Sequence, residues 1–152
     1  QPDSGRMMQQ AGGTTNAGDL VRRFYDVVWN RTDEQVAREI LHPRFSFRAS
    51  LGPERQGPEG FINYMHAIHA ALGEYTCSID ELLVDGQKAA ARMTFGGRHQ
   101  GEFFGVSATG RSIAWAGAAF FETDGRQITR LWVLGDVDGV KQQLGVDTRR
   151  TF

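Results

Sequence analysis

The sequence predicts an α+β domain in which a curved antiparallel sheet packs on three N-terminal helices and encloses a pocket. Three observations predict it. Apolar residues recur every three or four positions up to about Gly73, and every second position beyond Tyr75. The second half is punctuated by "DG", "GG" and "TG" turn signals, which mark hairpins. Glycines fall inside the strand-like runs at 96, 97, 101, 105 and 117, where they let long strands bend. Helices first and strands afterwards is the order of a sheet that lays its concave face on helices, and a curled sheet closed that way leaves a cavity.

Residues 1–16 are polar and glycine-rich and read as a tail outside the fold, with Met7 or Met8 as a natural start behind a vector-derived leader. After Asn16, Leu20, Phe24 and Val27/Val28 form the apolar stripe of a first helix, with Arg22, Arg23 and Asp26 on the other side. Thr32 and Gln35 have capping-box spacing, and Val36, Ile40 and Leu41 give the second helix its stripe before His42-Pro43 ends it. A short strand at Phe45–Arg48 and the turn-rich "LGPERQGPEG" follow. Pro58 suits a first helical position, and Phe61, Met65, Ile68 and Leu72 line a third helix ending near Gly73. "YTCSIDELLV", "KAAARMTF", "HQGEFFGV", "SIAWAGAAFFE" and "QITRLWVLGD" then read as strands of a meander, with a short helix from about Asp138. One domain over 17–146 results, with 147–152 as a C-terminal tail.

At 152 residues the chain holds one core and no second domain. Seventeen basic against eighteen acidic side chains, scattered along the chain, do not make the basic stripe of a nucleic-acid binder. Cys77 is the only cysteine, so neither an internal disulfide nor a zinc site of paired cysteines can form, and a reducing cytoplasm is the expected location. No apolar run reaches the roughly 20 residues of a membrane span.

Period two places Asp136 on one face of the last strand with Leu134, Trp132 and Ile128. In "GRHQGEFFG" it groups His99 with Gly97, Gly101 and Phe103, so that the histidine looks into space cleared by glycines. A carboxylate against apolar walls makes a base near neutral pH, and a neutral imidazole beside it donates to an oxygen that becomes negative. Together they are equipped to remove a proton from carbon.

From about Phe24 to Gly145 the chain resembles the SnoaL-like polyketide cyclases, or ester cyclases, which share the cone-shaped fold of nuclear transport factor two. The resemblance rests on "VVWN", "GPEGF", "IDELLVDGQKAAARMTF", "HQGEFFGVSATGR", and "ITRLWVLGD" followed by "VDGVKQQLG". It implies that Asp136 is the general acid/base and that His99 polarises the substrate carbonyl in an intramolecular aldol closure of a polyketide ester. The chain departs from the family pattern in Gly97-Arg98-His99, where glycine-threonine-histidine is usual, and in Arg48, where a histidine near the first strand is frequent.

The expected function is therefore cofactor-independent proton transfer at carbon on a hydrophobic, carbonyl-bearing small molecule, of cyclase or isomerase type. Asp136 and His99 are the expected catalytic pair, with Trp29, Phe47, Phe103, Trp115 and Trp132 as substrate-binding residues. Three alternatives stay open: epoxide hydrolysis, dehydration, and binding without chemistry. For Asp136 the competing role is a cap on the turn or the helix near Asp138, and for His99 a bond to a backbone carbonyl or to solvent. His66 and His69 stand three apart on the third helix but lack a further ligand motif, so no metal is expected. Arg92 is expected to pair with a carboxylate or to snorkel outwards, and Cys77 to be a small core residue. Both faces of "SIAWAGAAFFE" are apolar and one pocket covers only one of them, so a homodimer, or a tetramer built on it, is expected sheet against sheet.

Overall fold

The structure, a computed structural model, describes residues 16–50 and 53–146. Of the tails expected at 1–16 and 147–152, all but Asn16 lie outside the described residues. Asn16 caps the first helix, α1 (Ala17–Arg23), its side chain accepting from the Gly18 and Asp19 amides at 2.6 and 3.3 Å. The helix continues as a π-helical turn, Phe24–Trp29, which buries Phe24, Tyr25, Val28 and Trp29 together. The wider i→i+5 winding is uncommon and often accompanies functional sites.

The second helix, α2 (Glu34–Ile40), is capped by Asp33, which accepts from Val36 N at 3.0 Å. The Thr32/Gln35 capping box is thereby corrected: Thr32 stands at φ 50 and turns its hydroxyl back to the Arg31 carbonyl, leaving the cap to the next residue. Strands β1 (Leu41–Arg48) and β2 (Arg55–Gln56) precede α3 (Gly57–Ala71), which has Pro58 in its first turn. The remaining elements are β3 (Leu72–Asp85), β4 (Lys88–His99), β5 (Ser112–Thr123), β6 (Ile128–Gly135) and α4 (Val137–Leu144).

The six strands run in the order β2-β1-β6-β5-β4-β3. β3 to β6 form the expected antiparallel meander, while β1 lies parallel to β6, so the sheet is mixed but mostly antiparallel. The run "HQGEFFGV" does not form a strand of its own. β4 continues to His99, and residues 100–111 form a connector with a tight turn at Phe103–Val106, where Phe104 (φ 51) and Gly105 (φ 76) take left-handed conformations. Such paired positive φ values belong to the turn type that matches strand twist.

The inner sheet face, with Met93, Phe95, Ile113, Ala119, Phe121 and Leu131, packs on the helices. Phe24 is at the centre, its ring 5.0 Å from Phe61 and 5.6 Å from Phe121. Gln143 fixes α4 to β5 by exchanging two bonds with the Ala114 backbone, at 2.8 and 3.0 Å. This holds the last helix over one end of the sheet.

Candidate functional site

Between the inner sheet face and the helices lies a two-lobed cavity. The inner lobe, about 50 Å³, is lined by Tyr25 and Trp29 of the π-turn, Phe47 of β1, Phe95 of β4, and Leu131 and Val133 of β6. The outer lobe, about 230 Å³, is closed by Ile68 of α3, Phe103 and Phe104 of the connector, and Val137 and Val140 of α4. Ser50, Tyr64, Tyr75 and Trp115 line both. A larger concavity, about 440 Å³, lies around Leu83, Phe120 and Trp132, but it opens on the outer face of the sheet. The inner cavity has the character of a ligand site, aromatic walls with a few placed polar groups.

Those polar groups are hydrogen-bond donors. The hydroxyls of Tyr25, Tyr64 and Ser50 and the indole N–H of Trp115 have no hydrogen-bond partner among the described residues. Burial raises the Tyr25 hydroxyl well above its ordinary pKa, reinforced by the Cys77 thiol, and raises Tyr64 despite the opposing charge of Arg55. Both stay neutral and can donate. Tyr75, likewise raised by burial, bonds to the Cys77 thiol, which burial pushes up in turn. A Cβ on Gly135 would stand 2.9 Å from Ser50 Oγ and 3.2 Å from Trp115 Nε1, so the glycine keeps both polar atoms clear. None of the residues lining either lobe carries a carboxylate or an imidazole.

The structure lines the cavity with four of the five residues expected to bind substrate: Trp29, Phe47, Phe103 and Trp115. Trp132 stands on the outer face, 40% exposed, with Phe120 at 5.8 Å and the Arg48 guanidinium 5.2 Å from its ring. The reason is a bulge. β5 residues Thr123 and Glu122 pair with Ile128 and Arg130, so Thr129 is an extra residue that turns Ile128 inward and Trp132 outward.

Asp136 and His99 are not brought together in the cavity. Asp136 is exposed and caps α4, accepting from Gly139 N at 2.9 Å, which is the competing role the sequence left open. The apolar walls expected around it are absent because β6 ends at Gly135, although the next residue, Val137, lines the outer lobe. His99 is fully buried, and both its nitrogens are engaged. Nδ1 accepts from Thr109 N at 3.1 Å and lies 2.9 Å from the Thr109 hydroxyl, which leaves Nε2 as the N–H that donates to the Val106 carbonyl at 3.1 Å. The glycines around it admit the chain's own backbone: a Cβ at Gly97 would meet the Gly73 carbonyl at 2.9 Å, and one at Gly101 the Ala70 carbonyl at 2.7 Å.

His66 and His69 turn to different partners, His66 to Glu34 at 2.6 Å and His69 to the Trp29 carbonyl at 2.9 Å. Arg92 pairs with Glu81 at 3.3 Å. Cys77 is buried. Among the described residues no helix is long and apolar enough to cross a membrane. The sequence reading missed Tyr25, Ser50, Tyr64 and Tyr75. The signal for the first was its place four residues before Trp29 on the first helix, and for Tyr64 its place within the apolar run of the third.

Solved structures share this architecture. TsrD from Streptomyces laurentii is 26% identical with a TM-score of 0.73, the match covering 95% of this chain and 98% of that one. IdmH from Streptomyces antibioticus, assigned as a polyketide cyclase, is 23% identical with a TM-score of 0.77, over 87% of this chain and 100% of that one. A protein from Jannaschia sp. CCS1 assigned to the SnoaL-like polyketide cyclases is 18% identical with a TM-score of 0.77, over 92% and 97%. The last two likenesses bear on the fold alone. No curated protein matches the sequence significantly. Residues 19–144, which span every element from the capped first helix to α4, match the family model described as SnoaL-like polyketide cyclase, and the chain therefore belongs to that family.

Proposed function

We propose that the chain takes a hydrophobic, carbonyl-bearing small molecule into the two-lobed cavity and promotes proton transfer at the carbon beside that carbonyl, as in an intramolecular aldol closure. The observation that carries the reading is the lining itself: aromatic walls with unpaired donors, which suit an acceptor oxygen and stabilise it as it becomes an enolate. Family membership supports the cyclase chemistry. In this scheme Asp136, next in sequence to Val137 of the outer lobe, leaves its cap to reach the cavity and accepts the proton, the enolate carbon attacks a second carbonyl of the same molecule, and the proton returns to the resulting alkoxide. His99 acts through the connector, holding Val106 and Thr109 so that Phe103 and Phe104 close the outer lobe.

The test is proton–deuterium exchange by purified protein on a panel of β-keto esters. Wild type is expected to exchange the α-proton, and Asp136→Asn to slow the exchange by roughly 10²–10⁴-fold without loss of ester binding. Exchange unaffected by the substitution would remove Asp136 from the mechanism. A second reading, binding without chemistry, is favoured by the absence of carboxylate and imidazole from the lining. It predicts bound ester with no exchange above the solvent rate.

A further inference from the structure

Tyr25 is 1% exposed, and its ring is clamped edge-on by Phe24 at 5.0 Å and Phe121 at 5.8 Å, yet its hydroxyl has no hydrogen-bond partner among the described residues. Leaving a buried hydroxyl unpaired forfeits its bonds to water with nothing in return. Phenylalanine fills the positions packed against it at 24, 95 and 121, and would fill position 25 without that cost. The fold therefore gives no account of the oxygen, whereas the cavity does. The inner lobe that Tyr25 lines, about 50 Å³, is several times the roughly 10–15 Å³ that one water requires, and suits a substituent of a few atoms better than a ring system. The outer lobe, at about 230 Å³, has the room for rings.

We infer that the inner lobe is a subsite for a short oxygen-bearing substituent of the ligand, whose acceptor oxygen takes the Tyr25 hydroxyl as its hydrogen-bond donor. Ligands would thus enter ring-outward with one oxygen inward, distinct from the carbonyl nearer the mouth whose neighbouring carbon Asp136 serves, and Tyr25 would be a specificity-determining residue. The inference rests on the proposed reading that the cavity takes a hydrophobic carbonyl compound, and it adds which end goes where. Tyr64, Ser50 and Trp115, placed on both lobes, remain available to a second oxygen nearer the mouth.

The probes are 2-acetylnaphthalene and 2-isopropenylnaphthalene, which differ in shape only by a CH₂ in place of the carbonyl oxygen. Their Kd values are read from quenching of tryptophan fluorescence, since Trp29 and Trp115 line the cavity. In Tyr25→Phe the ketone is expected to lose about five- to tenfold in affinity, one net hydrogen bond, while the alkene is unchanged. The unliganded variant should have a Tm equal to or above wild type, because the hydroxyl removed was unpaired. Equal effects on ketone and alkene, or none on either, would overturn the subsite and leave the cavity reading standing. A lowered Tm with an unchanged ketone-to-alkene ratio would overturn it too, by assigning the hydroxyl to the fold through a buried water. If neither naphthalene binds wild type, the cavity reading fails and the subsite with it.

Discussion

The imidazole of His99 illustrates how far side-chain identity alone carries a site. Its glycine-rich surroundings were legible in "GGRHQGEFFG", but its full burial and the residues that bond it were not. Parity says which face a residue takes; it does not say that Val106 and Thr109, seven and ten residues on, fold back to fill that face. Tyr25 is the opposite case: it was not singled out beside the stripe of Leu20, Phe24 and Val27/Val28, and only the missing partner for its hydroxyl marks it. His99→Ala should therefore act first on structure. It strands the Thr109 amide, while the Val106 carbonyl keeps the Phe103 amide as its donor, at a cost of about 1–3 kcal/mol, a fall in Tm on the order of 5 °C. Amides of residues 100–111 should exchange faster with solvent, and those of β5 should not. A variant with wild-type Tm and unchanged exchange in that connector would show that the latch does not hold it.

At the level of elements, periodicity and turn chemistry located the helices and the long strands, because burying one face fixes the period and left-handed positions call for glycine. Gly86 and Gly125, in the two "DG" turns, both have positive φ. What escaped were features made by pairing between distant segments. The extra residue Thr129 exists only by reference to β5, and it moved Trp132 from the cavity to the outer face. The π-turn has no local signature, and its end is pinned from outside: Asn30 exchanges two bonds with the Cys77 backbone, and His69 of α3 donates to the Trp29 carbonyl. Desolvation lowers the pKa of His69, opposed by that bond and assisted by His66. A folded-state pKa below the unfolded value of about 6.5 means that the unfolded chain binds the proton more readily, so this contribution is full above that value and is lost as pH falls through the folded one. His69→Gln retains an N–H donor but does not titrate. Its Tm should decline less than that of wild type between about pH 7 and pH 5, with the His66–Glu34 pair present in both proteins. Parallel curves would discharge His69 from this role.

For the molecule as a whole, the sheet presents two apolar faces and the helices cover one. On the uncovered face Leu83 is 62% exposed, Phe120 52% and Leu134 50%, with Trp132 beside them. The same face of β5 carries Ala114, Ala116 and Ala118, small side chains that let a second sheet approach to the roughly 10 Å of face-to-face packing. Charges border the patch and reach into it: Lys88, Arg130 and Glu122 line the trough together with Asp85, Arg92 stands across from Ala118 bonded to Glu81, and the Arg48 guanidinium lies over Trp132. An apolar centre with a polar rim of mixed sign suits a self-complementary contact, since a two-fold axis sets each patch against its own copy. The expected partner is therefore a second copy of this chain, sheet against sheet, and the cavity on the far side of each sheet stays open to ligand. Sedimentation equilibrium at micromolar concentration should return twice the chain mass. The double variant Phe120→Asp/Trp132→Asp should return the single mass, because two buried carboxylates facing their own copies repel and are costly to desolvate. Its circular dichroism should be unchanged, since both side chains point away from the core, and so should its affinity for 2-acetylnaphthalene. A wild-type protein that sediments as a monomer would end the proposal, and a double variant that stays dimeric would move the interface to another surface.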